Sequence, residues 1–189
     1  MKKYSMSSPN IFLEGEKIFL RAFESGDEVI ISRLENHPDS RSTLFYAIPT
    51  NPQQQYEKTQ KQIDDPNSII FTICDKKTGS AIGQTAFFRI DWIGRMATFY
   101  IGIVNKENRG KGYGTEIVKL MLEYAFDTLN LHRVQLHVAT INTAGIKAYK
   151  RNGFIVEGLM REAMYGNGEY QNFHLMAILK KDYQKLKKQ

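Results

Sequence analysis

Past Val104 the apolar residues of this 189-residue chain change period, and that change narrows the folds open to it. Before it, residues 68–74, 81–90 and 96–104 are runs of strand character, separated by turns at Lys77-Thr78-Gly79 and from Trp92 to Gly94. This is the pattern of an antiparallel meander. After it, Ile117, Met121, Tyr124, Ala125 and Thr128 recur at helical spacing behind a glycine-rich segment, with Val118, Leu122 and Leu129 alongside. A strand therefore feeds a loop that opens a long helix. Residues 132–139 predict a strand, 142–151 a helix stopped at Asn152-Gly153, and 154–163 and 170–179 two more strands. At the front of the chain, residues 15–23 alternate around Ile18, Leu20 and Ala22, and Ser25, Asp27 and Glu28 mark a helix start. Residues 36–53, holding Pro38, Pro49 and Pro52, predict a loop before a second, polar helix that ends near Ile63. Meander and crossover together predict an α/β (α+β) fold with a mixed sheet of seven strands.

Length and composition set the remaining bounds. A chain of 189 residues with 42% hydrophobic and 24% charged residues can bury one good core, which predicts a single domain over 1–189 with its core at about 15–183. The one cysteine, Cys74, falls in the apolar run from Ile69 and cannot form an internal disulfide, as expected of a cytoplasmic protein. No stretch approaches the ~20 apolar residues of a membrane span, so no membrane partner is expected. The net charge of +6 is concentrated at the end, where the last ten residues carry five lysines against one aspartate. That predicts a solvated basic tail and no nucleic-acid partner.

The chemistry is carried by Arg109-Gly110-Lys111-Gly112-Tyr113-Gly114, followed by Thr115 and the long helix. Alternate glycines let a ligand approach the backbone closely, and amide N–H groups at the mouth of a helix form a concave anion site. A diphosphate fits there, with Arg109 and Lys111 adding charge-assisted contacts; the plain alternative is a flexible turn that merely starts a helix. The G-x-x-x-x-G-K-[ST] nucleotide loop is excluded, because no Ser or Thr follows Lys111. A dinucleotide fingerprint is disfavoured by the G-x-G-x-G spacing and by the lack of an acid in residues 132–139.

The segment from Arg109 to Gly114 resembles the [QR]-x-x-G-x-[GA] acetyl-CoA loop of the GNAT N-acetyltransferase superfamily. Asn142 and Tyr149, followed by Asn152-Gly153-Phe154, resemble that family's N-x-x-A-x-x-x-Y-x-x-x-G-F block. The likeness runs outward from Leu20-Arg21 to Gly168-Glu169-Tyr170 and Met176, and is strongest to the branch of ribosomal-protein N-terminal and spermidine acetyltransferases. It implies a seven-stranded sheet splayed between its fourth and fifth strands, with helices on both faces and acetyl-CoA in the splay as co-substrate. A bulge near Ile103-Val104-Asn105 is expected to open that splay. Backbone groups of Ile103 and Val104 are then expected to hold the pantetheine arm, and those of Gly110, Lys111, Gly112, Tyr113, Gly114 and Thr115 the diphosphate. Asn142 corresponds to the family's cofactor-contacting asparagine, and is also well placed as a helix N-cap. Tyr149 corresponds to the tyrosine that protonates the departing thiolate.

The resemblance also implies direct acetyl transfer to a primary amine, by an enzyme forming a homodimer or higher homo-oligomer. A non-catalytic acyl-CoA-binding regulatory module is the alternative. The general base stays open: relatives often carry a glutamate after an alanine on the fourth strand, and here Thr98 follows Ala97. A water chain, Glu107, or an acceptor arriving neutral remain. No metal site is expected, since His132 and His137 are five apart on one strand and face opposite ways. The acceptor is open among a protein N-terminus, an amino sugar, a polyamine and a small amine. Spermidine enzymes carry an acidic W-F-E-E-P-type stretch after the first helix, whereas residues 44–49 here read Leu-Phe-Tyr-Ala-Ile-Pro, without a carboxylate to attract a polycation.

Overall fold

The computed structural model describes residues 10–104, 110–166 and 168–188. The chain order is β1 (Leu13–Glu14), β2 (Ile18–Arg21), α1 (Asp27–Asn36), α2 (Pro38–Leu44), α3 (Pro52–Ile63), β3 (Ile69–Asp75), β4 (Ala81–Asp91) and β5 (Met96–Ile103). It continues through α4 (Tyr113–Glu123), which runs on as a π-helical turn, Tyr124–Thr128, then β6 (Arg133–Ala139), α5 (Thr143–Arg151), β7 (Ile155–Gly166), β8 (Glu169–Leu179) and α6 (Lys180–Leu186). The strands form one sheet in the order β1-β2-β3-β4-β5-β6-β8-β7, antiparallel at every junction except β5 to β6. The sheet is mixed, as expected, with an eighth strand gained from the two residues of β1.

Local chemistry explains where the elements start. Asn51 caps α3 through a complete capping box with Gln54, and Pro52 fills the first turn. The β3–β4 turn is held by the Asp75 carboxylate, which accepts from the N–H groups of Lys77 and Thr78. The segment expected to be a loop contains α2. Its start is a cap by His37, whose Nδ1 accepts from Asp39 N–H, followed by Pro38 in the first turn. Proline there fixes a helical φ and lacks an N–H that would have no helical partner anyway, so it starts this helix.

Part of the expected basic tail is helical: Lys180–Leu186 form α6, whose Tyr183 is buried in the core and donates its hydroxyl to Asp127, 2.8 Å away. The core itself lies between the sheet and α4: Ile18, Leu20, Ile73, Phe87, Ile117, Met121 and Leu136 are fully enclosed, each contributing about 1.5–3 kcal/mol by leaving water. No helix of the described residues is long and apolar enough to cross a membrane.

Candidate active site

The site begins where two strands part company. β5 and β6 are paired only from Met96 to Thr98, opposite Arg133 to Gln135; beyond that, β6 pairs with β8 alone and β5 with β4 alone. The register of β5 against β4 is unbroken from Thr98 to Ile103, and Val104 N–H continues it by donating to Ile82 C=O at 2.8 Å. The splay is therefore present without a bulge in these residues. Asn105, the last residue of the expected bulge, lies outside the described residues.

This register corrects which backbone groups are open. In an antiparallel pair, alternate residues turn their N–H and C=O toward the partner. Because Val104 turns toward β4, so does Gly102, and the residues of opposite parity, Ile101 and Ile103, present their polar backbone to the gap. Val104 is buried and its N–H is engaged, so the backbone pair open to the gap is Ile101 with Ile103 rather than Ile103 with Val104.

A cleft of about 390 Å³ fills the gap, walled by the end of β5, the mouth of α4, α5 and one side of α2. It brings together Ile103, Gly110, Gly112, Tyr113, Gly114, Thr115, Asn142 and Tyr149 from the sequence expectation. Gly112 caps α4 in the left-handed region with φ 86°, which a side chain resists, and no side chain caps that helix. The N–H groups of Tyr113, Gly114 and Thr115 are left for a ligand. A Cβ on Gly110 or Gly114 would meet no protein atom within 4 Å, so space stands open against both backbones. These are the features a diphosphate requires: room, unpaired donors and the positive end of a helix.

Two basic residues fare differently. Lys111 turns away from the cleft, toward a neighbouring hollow with Lys17, Lys76 and Lys77; its carbonyl accepts from Lys17 Nζ at 3.0 Å and its ammonium lies over the Tyr113 ring. Arg109 lies outside the described residues, as does Glu107, one of the candidate bases. On α5, Lys147 and Arg151 line the cleft and supply cations that the sequence reading did not single out.

Tyr113 is fixed by its hydroxyl bond to the Asp75 carboxylate, so its side chain anchors the loop to β3 and its N–H is the group facing the cleft. Asn142 does cap α5, its Oδ1 accepting from Gly145 N–H at 3.0 Å, while its side chain lines the cleft. Asn152 ties the two helices together by donating to Thr115 C=O and Ala148 C=O. The Tyr149 ring packs against Phe99 and Phe154, yet no described residue hydrogen-bonds its hydroxyl, which opens to the cleft. Burial, then the nearby Tyr100, pushes this phenol well above its usual range, so it holds its proton throughout neutral pH.

Beyond Tyr149 the cleft reaches Gly102 and the α2 residues Ser40, Thr43 and Leu44. Behind Gly102 stand the Tyr100 and Tyr46 hydroxyls, 2.5 Å apart, and the buried Glu35 of α1. Burial first, and the nearby Glu35 last, raise both phenols. Glu35, Tyr46 and Tyr100 were missed in the sequence because nothing local marks them. Thr98 sits at the root of the splay, where β5 still pairs with β6. Trp92 and Ile93 occupy the turn before β5, at the other end of an eight-residue strand, about 25 Å from the cleft, so they do not close over it. Among the described residues, no group of three His, Cys, Asp or Glu side chains is arranged to hold a metal ion.

Comparison with known proteins places this geometry. Residues 17–155 match the family described as Acetyltransferase (GNAT) domain. The spermidine N(1)-acetyltransferase of Vibrio cholerae is 34% identical over 167 residues, 88% of this chain and 95% of that one. Its crystal structure in complex with CoA and spermine superposes with a TM-score of 0.82 at 33% identity, covering 89% of this chain and 98% of that one. A dodecameric structure of the same enzyme matches with a TM-score of 0.74 at 33% identity, covering 88% and 96%. YdaF of Bacillus subtilis, provisionally named a ribosomal N-acetyltransferase, is 28% identical over 176 residues, 89% of this chain and 94% of that one.

Proposed function

Because this chain belongs to the GNAT family and is an N-acetyltransferase, we propose that it moves the acetyl group of acetyl-CoA directly to a primary amine of a polyamine, within a single catalytic domain. One observation carries the reading: the uncapped mouth of α4, the open backbone of Ile101 and Ile103, and the unpaired Tyr149 hydroxyl all face one cleft. The N–H groups from Tyr113 to Thr115 hold the diphosphate. The pantetheine arm lies along Ile101 and Ile103 as an added strand, and an N–H of that edge stabilises the oxyanion that forms when a neutral amine attacks the thioester carbonyl. The C–S bond then breaks, Tyr149 gives its proton to the sulfur, and the new amide nitrogen sheds its extra proton to water, through which Tyr149 is reprotonated. Its raised pKa keeps that proton in place until a thiolate forms beside it.

A polyamine is the acceptor class favoured by the Vibrio cholerae relative, whose name is spermidine N(1)-acetyltransferase. The same relative forms a dodecamer, and we propose that copies of this chain also associate, through β7. That strand is one of the two edges of the sheet, and Ile155, Leu159, Tyr165 and Tyr170 along it and its neighbour are more than half exposed. Light scattering should give a mass well above the 21.8 kDa of one chain. The catalytic reading is tested by following thiol release from acetyl-CoA with spermidine, spermine, glucosamine and an N-terminal peptide. Release with the polyamines above the others is expected; release only with the peptide would move the acceptor to protein N-termini.

A further inference from the structure

Beside the cleft, and sharing Tyr113 with it, lies a second hollow of about 430 Å³ lined by Glu16, Lys17, Lys76, Lys77, Lys111 and Tyr113. Hydrogen bonds between separate turns tie its frame together. Lys17 Nζ donates to Lys111 C=O at 3.0 Å and Lys17 N–H to the Glu116 carboxylate at 2.9 Å. Lys76 N–H donates to Lys17 C=O at 2.9 Å, and Lys76 Nζ to Gly15 C=O at 3.0 Å. The Asp75 carboxylate that accepts from the Tyr113 hydroxyl also accepts from Lys77 N–H. Four ammonium groups thus line the hollow against the one carboxylate of Glu16. Lys76 is answered by Glu14, 2.7 Å away, but among the described residues no carboxylate forms an ion pair with Lys17, Lys77 or Lys111. Like charges gathered on a tied frame repel one another, and concentrate counter-ions of the opposite sign.

We propose that this hollow is an anion site that takes a phosphate group, separate from the place of the diphosphate at the mouth of α4. A phosphate carries about −1.5 to −2 charges at neutral pH, and its several oxygens can accept from Lys17, Lys77 and Lys111 together. Two sources can bring that group: the ribose 3′-phosphate of CoA bound in the cleft, or a phosphate anion arriving by itself. Either one acts on the cofactor loop. Lys17 holds the Lys111 carbonyl, Gly110 and Gly112 on either side of Lys111 line the cleft, and the Lys17 ammonium lies 3.4 Å from where a Cβ on Gly112 would stand.

The test titrates inorganic phosphate calorimetrically into the protein saturated with 3′-dephospho-CoA, which fills the mouth of α4 and brings no ribose phosphate. Binding with a Kd of about 1 mM or tighter is expected, weakened roughly tenfold in Lys17→Gln and in Lys77→Gln, with thermal melts as folding controls. No binding, or binding that the variants leave unchanged, overturns the proposal. Lys77 is exposed in a turn, so its variant decides even if Lys17→Gln disturbs the loop. Repeating the titration with CoA in place of 3′-dephospho-CoA separates the sources. Loss of phosphate binding assigns the hollow to the ribose phosphate, and retained binding assigns it to a separate anion. Should neither nucleotide bind, the cofactor reading fails, and phosphate titrated into the free protein and the same variants still decides the hollow.

Discussion

The two ends of α1 each bury a carboxylate, and they have been put to different uses. At the first turn Asp27 accepts two hydrogen bonds from Arg21, 2.7 and 2.8 Å long, one from Glu24 N–H and one from the Thr72 hydroxyl. At the last turn Glu35 is about as buried but is held by a single ammonium that is half in solvent. Four bonds to rigid partners make a joint between β2, β3 and α1. One bond to a half-exposed lysine ties α1 to α3 far less firmly. The cleft follows the same division: its structural groups, such as Asn152 and the Tyr113 hydroxyl, have protein partners, whereas the Tyr149 hydroxyl and the first N–H groups of α4 have none among the described residues.

The sharpest way to break the comparison is at Asp27. Asp27→Asn leaves the largely enclosed Arg21 with only the exposed Glu24 carboxylate, 3.6 Å away, and should cost about 3–5 kcal/mol of stability by denaturant titration, with little change in KM for the acceptor. A cost below about 1 kcal/mol would mean the joint is not what holds α1 in place. Tyr149→Phe should do the reverse, lowering kcat roughly 100-fold or more while melting within a degree or two of the wild type, because the lost hydroxyl had no partner. Gly114→Val, which places a side chain in open space, should weaken acetyl-CoA binding on the order of 100-fold by calorimetry without unfolding the protein.

Acid should act on the Asp27 joint as well. Burial by itself raises the Asp27 carboxyl, but the Arg21 guanidinium, Glu24 N–H and Thr72 hydroxyl outweigh it and hold the pKa below the usual value of 3.8. A depressed carboxyl contributes stability that is present above its unfolded pKa and lost as pH falls through the folded value. Stability should therefore drop on acidification below about pH 4, and Asp27→Asn should flatten that slope. The smallest effect is expected at the surface pair Lys185–Asp182, where Lys185→Ala should change stability by less than about 1 kcal/mol.

What the sequence made legible follows from the range of the interactions involved. The open, glycine-rich mouth of α4 could be read because glycine at left-handed φ and a helix start are properties of adjacent residues. The Asn142 cap could be read for the same reason. The α2 helix was hidden because Pro38 breaks a helix when interior but starts one in the first turn, and only the His37 cap tells these apart. That Ile101 rather than Val104 opens to the gap depends on strand parity against β4, which a one-residue change in register would invert. Glu35 meets Lys58 from 23 residues away, so that ion pair exists only once the helices have packed on the sheet.

The central claim is that acetyl passes directly from CoA to a polyamine in the cleft that Tyr149 faces. It is tested most directly by stopped-flow release of CoA thiol, with acetyl-CoA and spermidine, from the wild type and from Tyr149→Phe. The account predicts spermidine-dependent release by the wild type, at least 100-fold slower in the variant at equal acetyl-CoA affinity. Equal rates from the two proteins, or release that does not depend on spermidine, would contradict it.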